Sequence, residues 1–348
     1  MCTDLRLTRL EQLHVSGRTL DFAYEVESMV EVVPRGQQWT ATAAPGAEPL
    51  AWSNHLGFVA LNFFGLEDYF ADGLNEAGLS VATLWLSETR LPVSPPEGSA
   101  PAIDFINLAG WLLGTCSSVE DVKAALASVR IWDAPVGMLW PEGRPMPKAL
   151  QPLTHWSATE HLSVHDAHGN DLVVEFVDNT MHIYDNHAGV LTNSPVFPWH
   201  MTNLRNYIGL TNVEDKPYNL LGIQVVPTGN GSGLLGMPGD VTPPSRFVRA
   251  TVLTQTVTQA KDPRDAVNQV FHCLDLVSVP RYVAASGDYT QWYVARDHDQ
   301  KILYVRTYDD WGTDKHDLAE LGVSKSGPRR SLPLAAQPAG GIAARTSD

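Results

Sequence analysis

Three things are scarce in this chain of 348 residues, and each scarcity removes a class of explanation. Cysteine occurs three times, at Cys2, Cys116 and Cys273. An odd number of widely spaced cysteines makes neither a disulfide framework nor a zinc site. Basic residues are outnumbered, 24 Lys and Arg against 39 Asp and Glu, for a net charge of -15. Phosphate binding needs basic patches, so nucleic acid is not an expected partner. No run of about 18 apolar residues occurs, so no membrane span is expected. The first residues lack a basic segment followed by an apolar one, so no signal peptide is visible. As written, the chain reads as cytoplasmic; it reads as periplasmic if a leader has been replaced by Met1.

Familiar catalytic signatures are also missing. There is no G-x-S-x-G elbow and no H-E-x-x-H. Gly231-Ser232-Gly233-Leu234-Leu235-Gly236 matches G-x-G-x-x-G by letters. No helix is expected to open on it, because Pro238, Pro243 and Pro244 follow, so it reads as a loop. His161, His165 and His168 flank a strand and a turn, where they would not converge on a metal; they read as exposed turn histidines. Cys116 and Cys273 fall in apolar helices and read as inert core thiols. Neither a metal nor a cofactor is expected.

What remains is an ordinary globular balance, 44% hydrophobic, with two periodicities. Thr19 to Val26 alternates apolar and polar residues, placing Leu20, Phe22, Tyr24 and Val26 on one face and Asp21, Ala23 and Glu25 on the other. Further strands are expected at 57–61, at 79–86 after the turn-rich 72–78, in a meander from His155 to Tyr184, and in a hairpin of 289–296 with 301–307. Helical spacing occupies 103–113. Ser117-Ser118-Val119-Glu120 suits a capping box opening a helix to about Val129. Ser245 is expected to cap a helix to about Lys261, and Asp262-Pro263 to start another reaching about Leu276. Blocks of antiparallel strands separated by helix pairs predict an α+β fold, a four-layer αββα sandwich of two antiparallel sheets. Residues 2–323 read as one domain, and 324–348, rich in Ala, Pro, Gly and Ser, as a disordered tail.

Cys2 acquires meaning inside that frame. Were Met1 removed, one residue would carry both a thiol nucleophile and a free α-amine able to act as its base. Arg18 and Asp21 lie one hairpin later, close enough to return to the first strand. Either could be an ordinary surface charge. Beside Cys2, the guanidinium would favour the thiolate and the carboxylate would hold the amine.

Five motifs, in order, complete the pattern: Cys2-Thr3, Gly17-Arg18-Thr19-Leu20-Asp21, Gly73-Leu74-Asn75-Glu76-Ala77-Gly78-Leu79, Leu191-Thr192-Asn193-Ser194-Pro195, and Gly239-Asp240 leading to Ser245-Arg246-Phe247. Over about residues 2 to 310 the chain resembles the choloylglycine hydrolase family, which comprises bile salt hydrolases and penicillin V acylases within the N-terminal nucleophile hydrolases. The resemblance implies the αββα sandwich, a Cys2 nucleophile, Arg18 and Asp21 as partners of its thiol and amine, Asn193 as an oxyanion donor and Arg246 completing the charged network. Trp85 stands where the Gram-positive bile salt hydrolases have Asn. A backbone donor would survive there, and the Gram-negative penicillin V acylase-like branch is the better match. The implied reaction is hydrolysis of a linear amide with an apolar acyl group, of the penicillin V or N-acyl-homoserine lactone kind. A bile salt hydrolase and a non-catalytic binding protein on the same fold are the alternatives. Phe22, Tyr24, Phe64 and Met138 are candidate walls for the acyl group, and equally candidate core. The resemblance also implies a homotetramer.

Overall fold

Residues 58–62 show how the chain divides its apolar side chains. Phe58 and Ala60 enter one hydrophobic core, and Val59 and Leu61 enter another. Successive strand residues point to opposite faces. A strand that is apolar at every position must therefore be covered on both sides, which requires an inner layer of a sandwich. The computed structural model describes residues 1–44, 46–135, 137, 140 and 159–334, and it has that architecture.

The first sheet contains β1 (Cys2–Arg6) and β2 (Val15–Phe22), and the second begins with β3 (Met29–Val33), β4 (Phe58–Asn62), β5 (Phe70–Asn75) and β6 (Ser80–Trp85). The second sheet continues with β7 (Glu160–His165), β8 (Asp171–Val177) and β9 (Thr180–Asp185). The chain then returns to the first sheet with β10 (Val190–Leu191), β11 (Tyr289–Asp297), β12 (Ile302–Thr307) and β13 (Asp314–Asp317), and ends on the second with β14 (Arg330–Pro333). The orders are β10-β1-β2-β11-β12-β13 and β9-β8-β7-β6-β5-β4-β3-β14, and every pairing within them is antiparallel.

Helices α1 (Phe105–Thr115) and α2 (Val119–Leu126) cover the outer face of the second sheet. After the short α3 (Phe197–Asn203), α4 (Pro243–Thr256) and α5 (Pro263–Asp275) cover the outer face of the first. Gly17 of the second motif is explained by this layering: a Cβ there would sit 2.4 Å from Val270 Cγ1 of α5. The Gly73–Leu79 motif joins the β5–β6 turn to the end of α1. Asn75 accepts from the Ala77 and Leu79 amides, both at 3.0 Å. Its Nδ2 donates to the carbonyls of Leu113 at 2.9 Å and Cys116 at 2.7 Å, supplying partners that a helix C-terminus lacks.

Several expectations shift. The α2 cap is Ser118, accepting from Asp121 N, and not Ser117, whose hydroxyl instead donates to Asp121. Helix α4 begins two residues before Ser245, on Pro243 and Pro244, which suit a first turn whose N–H groups have no helical partner. Residues 324–334 are not the disordered tail expected. An edge strand presents unpaired backbone groups, and β14 covers that edge of β3, with Ser331 donating to Glu31. Residues 335–348, and the strand expected at 155–158, lie outside the described residues.

Candidate active site

Register brings the first two motifs together. Across β1 and β2, Cys2 pairs with Leu20 and Asp4 with Arg18, so Cys2 and Arg18 share the face turned toward the second sheet. Cys2 is buried, 4% exposed, and Arg18 Nη2 donates to its Sγ at 3.3 Å. The guanidinium also donates to the Ala71 carbonyl and lies 3.6 Å from Asp72 Oδ2. Burial works against the Arg18 charge; the Cys2 sulfur and Asp72 outweigh it, so the Arg18 pKa is raised.

Of the other three expected residues, Asn193 and Arg246 meet the Cys2 backbone and Asp21 lies beside Arg246. Strand β10 runs beside β1 and releases Asn193 two residues later. Asn193 Oδ1 accepts from the Cys2 amide and from Arg246 Nη2, both at 2.8 Å. Arg246, fully buried on α4, also donates from Nη1 to the Cys2 carbonyl at 2.6 Å and to Thr3 Oγ1 at 2.5 Å, and from Nε to the Val241 carbonyl at 2.9 Å. Asp21 accepts from Thr290 Oγ1 at 2.6 Å through one oxygen. Its other oxygen lies 3.7 Å from Arg246 Nη1 and makes no hydrogen bond. Burial raises the Asp21 pKa, against the opposing charges of Arg246 and the chain's amino terminus.

Trp85 stands at the end of β6, paired with Glu160, and its carbonyl accepts from Asn193 Nδ2 at 2.8 Å. Phe22, Tyr24 and Phe64 gather in edge-to-face contacts, 6.0 Å between Phe22 and Tyr24 and 6.2 Å between Phe22 and Phe64. Edge-to-face contact is a preferred geometry for aromatic pairs. Met138 lies outside the described residues. Cys116 and Cys273 are buried away from these groups, and burial pushes both thiols up to about 11. Among the described residues no group of three or more His, Cys, Asp or Glu could hold a metal. None of their helices is long and apolar enough to cross a membrane.

Two histidines read as exposed are buried, and only His168 lies in an exposed turn. His161 and His165 occupy β7, where both faces are covered. His161 bridges Glu175 and the Thr192 carbonyl, each at 3.1 Å, and His200 binds the Asn193 carbonyl at 2.8 Å. Two imidazoles thus fix the backbone on either side of the Asn193 side chain. His165 belongs to a chain of alternating charges between the sheets. From Arg18 and Asp72 it passes to Arg296, whose Nε donates to Asp72 at 2.8 Å and whose Nη2 donates to Asp4 at 2.8 Å. From Asp4 it continues through His165 to Asp171 at 2.7 Å and to Arg6, 2.8 Å from Asp171. Desolvated charges of this kind persist only when paired. The even positions of β1, namely Cys2, Asp4 and Arg6, supply one side of it. That alternation was visible in the sequence, but its partners on other strands were not.

The gathered groups are a buried thiol, a guanidinium beside it, a carboxamide on its backbone nitrogen, and a carboxylate beside a second guanidinium. Comparison with known proteins gives the family. The family model for linear amide C–N hydrolases of the choloylglycine hydrolase family matches residues 2–328. A bile salt hydrolase/transferase from Clostridium perfringens is 32% identical over 322 residues, 89% of this chain and 90% of that protein. The crystal structure of the C2A variant of conjugated bile acid hydrolase from Clostridium perfringens superposes with a TM-score of 0.80 at 28% identity, covering 96% of this chain and 97% of that one. Penicillin V acylase from Agrobacterium tumefaciens shares the fold, with a TM-score of 0.76 at 24% identity, covering 96% and 92%. Sheet order, site and similarity over the whole chain thus converge: the chain belongs to the choloylglycine hydrolase family and is a hydrolase of linear amide carbon–nitrogen bonds.

Proposed function

We propose that Cys2, freed at its α-amine by loss of Met1, cleaves a linear carboxamide through a thioester. The observation that carries this reading is the placement of Cys2, whose sulfur faces Arg18 at 3.3 Å while its backbone nitrogen rests on Asn193 at 2.8 Å. Removing one residue turns that nitrogen into an α-amine already positioned beside its own thiol. The amine takes the thiol proton and the sulfur adds to the amide carbon. The Asn193 side-chain nitrogen and the backbone N–H at Trp85 donate to the oxyanion. The proton then passes from the amine to the leaving nitrogen, the C–N bond breaks, and water hydrolyses the thioester by the same relay.

Phe22, Tyr24 and Phe64 form the wall for an apolar acyl group. Trp85 favours the penicillin V acylase-like branch, with penicillin V or a long-chain N-acyl-homoserine lactone as substrate type. A bile salt is the second reading, favoured by the 32% identity to the Clostridium perfringens protein. Turnover of glycocholate, penicillin V and a long-chain acyl-homoserine lactone on one preparation, with loss of Met1 verified by intact mass, separates them. Full activity in Cys2→Ala, or full activity in protein retaining Met1, overturns the mechanism. We further propose the homotetramer. It is supported by an exposed apolar ribbon, Tyr218–Leu220 with Ile223–Val225, whose turn residue Leu221 is 97% exposed.

A further inference from the structure

Strands β2 and β11 pair out of step at one place. Asp21 pairs with Thr290 and Leu20 with Trp292, so Gln291 is an extra residue on β11, a β-bulge. A bulge leaves its extra residue unpaired and re-aims its side chain. The Gln291 carboxamide reaches the segment 23–28, which joins β2 to β3 without helix or strand. Its Nε2 donates to the Phe22 carbonyl at 3.1 Å and to the Tyr24 carbonyl at 2.6 Å, and its Oε1 accepts from the Val26 amide at 2.9 Å. Two carbonyls and one amide fit a carboxamide in one orientation only.

These bonds reach the backbone of the acyl wall described above. Phe22 and Tyr24 are held directly. Phe64 is held through Val26, whose carbonyl accepts from the Phe64 amide at 2.8 Å. Two neighbours of Gln291 hold the same segment: the Tyr289 hydroxyl donates to Glu25 at 2.5 Å, and Trp292 Nε1 donates to Ser28 Oγ at 3.2 Å. Within the segment Glu27 has a φ of 47°, a value that persists only where the surroundings impose it. We propose that Gln291 is a specificity-determining positioning residue, a clamp that fixes the wall for the acyl half of the substrate. A loop ordered only on binding costs affinity, and one held beforehand does not. A wall of fixed shape also separates one acyl class from another.

The clamp acts on the wall and not on the thiol. Cys2 meets Arg18, Asn193 and Arg246, and none of these bonds passes through Gln291. Trp292, the next residue, has its ring 5.3 Å from the Arg18 guanidinium carbon. The bulge thus separates the side chain that serves the pocket from the one that lies beside the partner of Cys2.

The inference rests on the proposed acyl wall, and the test separates the two. Gln291→Met keeps the length of the side chain and removes all three bonds. Gln291→Glu keeps the acceptor for Val26 and loses the donor. Both are assayed beside Tyr24→Ala on glycocholate, penicillin V and decanoyl-homoserine lactone, with protein lacking Met1. For the substrate that the parent cleaves best, KM should rise about tenfold in both Gln291 variants with kcat within about threefold. The preference over the other two substrates should shrink with it. Alkylation of Cys2 by iodoacetamide should keep the parent's rate, which a general loss of structure would not allow. Unchanged KM and preference in both Gln291 variants, with both altered in Tyr24→Ala, overturn the clamp and leave the wall. Unchanged values in all three variants overturn wall and clamp together. If the parent cleaves none of the substrates, the Cys2 mechanism fails, and calorimetric binding of cholate, phenoxyacetate and decanoate to Cys2→Ala decides. Binding weakened about tenfold by added Gln291→Met sustains the clamp; equal binding, or none, overturns it.

Discussion

The side-chain nitrogen of Asn193 donates to the Trp85 carbonyl oxygen at 2.8 Å, while its oxygen accepts from Cys2 and Arg246. One carboxamide therefore spans the interval between the strand of Cys2 and the last residue of β6. Asn193→Ala removes all three bonds. The acylation rate measured in single turnover should fall on the order of a hundredfold or more. A rate within twofold of the parent would remove Asn193 from the oxyanion site.

Arg18 acts on Cys2 through a planar fork that also grips Ala71 and Asp72. Lysine keeps the charge but cannot make these contacts together. In Arg18→Lys, alkylation of Cys2 by iodoacetamide at pH 7 should slow about tenfold or more, in step with amide turnover. Loss of turnover with alkylation unchanged would place Arg18 on the substrate instead.

Asp72 lies between Arg18 and Arg296 with no exposed surface. Asp72→Asn keeps the shape and leaves two buried guanidinium groups short of one charge. Removing one partner of such a pair typically costs about 3–5 kcal/mol. The urea midpoint should drop by the corresponding amount with an unchanged slope. A midpoint equal to the parent's would mean that the other contacts of Arg296, to Asp4 and Ser16, suffice.

Glu160 accepts from Tyr69 at 2.8 Å, and burial pushes its carboxyl from 4.5 up to about 7, against the Tyr69 hydrogen bond and the Arg18 charge. The folded chain thus keeps a proton that the unfolded chain releases. The stability this contributes is complete below about pH 4.5 and is lost as pH rises through 7. Glu160→Gln should flatten the dependence of Tm on pH in that window and stabilise the protein above pH 7 by on the order of 2–3 kcal/mol. His165, raised from 6.5 to about 9 because Asp4 and Asp171 outweigh its burial, adds a separate decline from about pH 6.5 to 9. That decline should persist in Glu160→Gln.

Leu221, at the tip of the exposed ribbon, carries the tetramer proposal. Leu221→Asp should shift the mass measured by light scattering toward a single chain while the circular dichroism spectrum stays unchanged. A parent protein that is already monomeric at micromolar concentration would end the proposal.

The parts of the site that could be read in the sequence were those linked by one hairpin. Cys2, Arg18 and Asp21 fall within one hairpin's reach; pairing puts Arg18 on the face of Cys2, and alternation puts Asp21 on the other. Asn193 and Arg246 come from distant segments, and only the family resemblance connected them to Cys2. His161, His165, Asp72 and Arg296 escaped because a strand covered on both faces has no polar side to announce itself. Its buried charges look in sequence like those of a solvated face. The helix starts at Ser118 and Pro243 each missed the expected position by one or two residues, where neighbouring serines or prolines compete for the same role.

The face of β1 that carries Cys2 also carries Asp4 and Arg6, so the Cys2 thiol is the last rung of the ion ladder joining the two sheets. A strand slipped by one residue would turn Cys2 toward the helices and strip the ladder of its partners in the same movement. Sheet assembly and the pairing of Cys2 with Arg18 are therefore a single event: a chain that lacks the register lacks the pair.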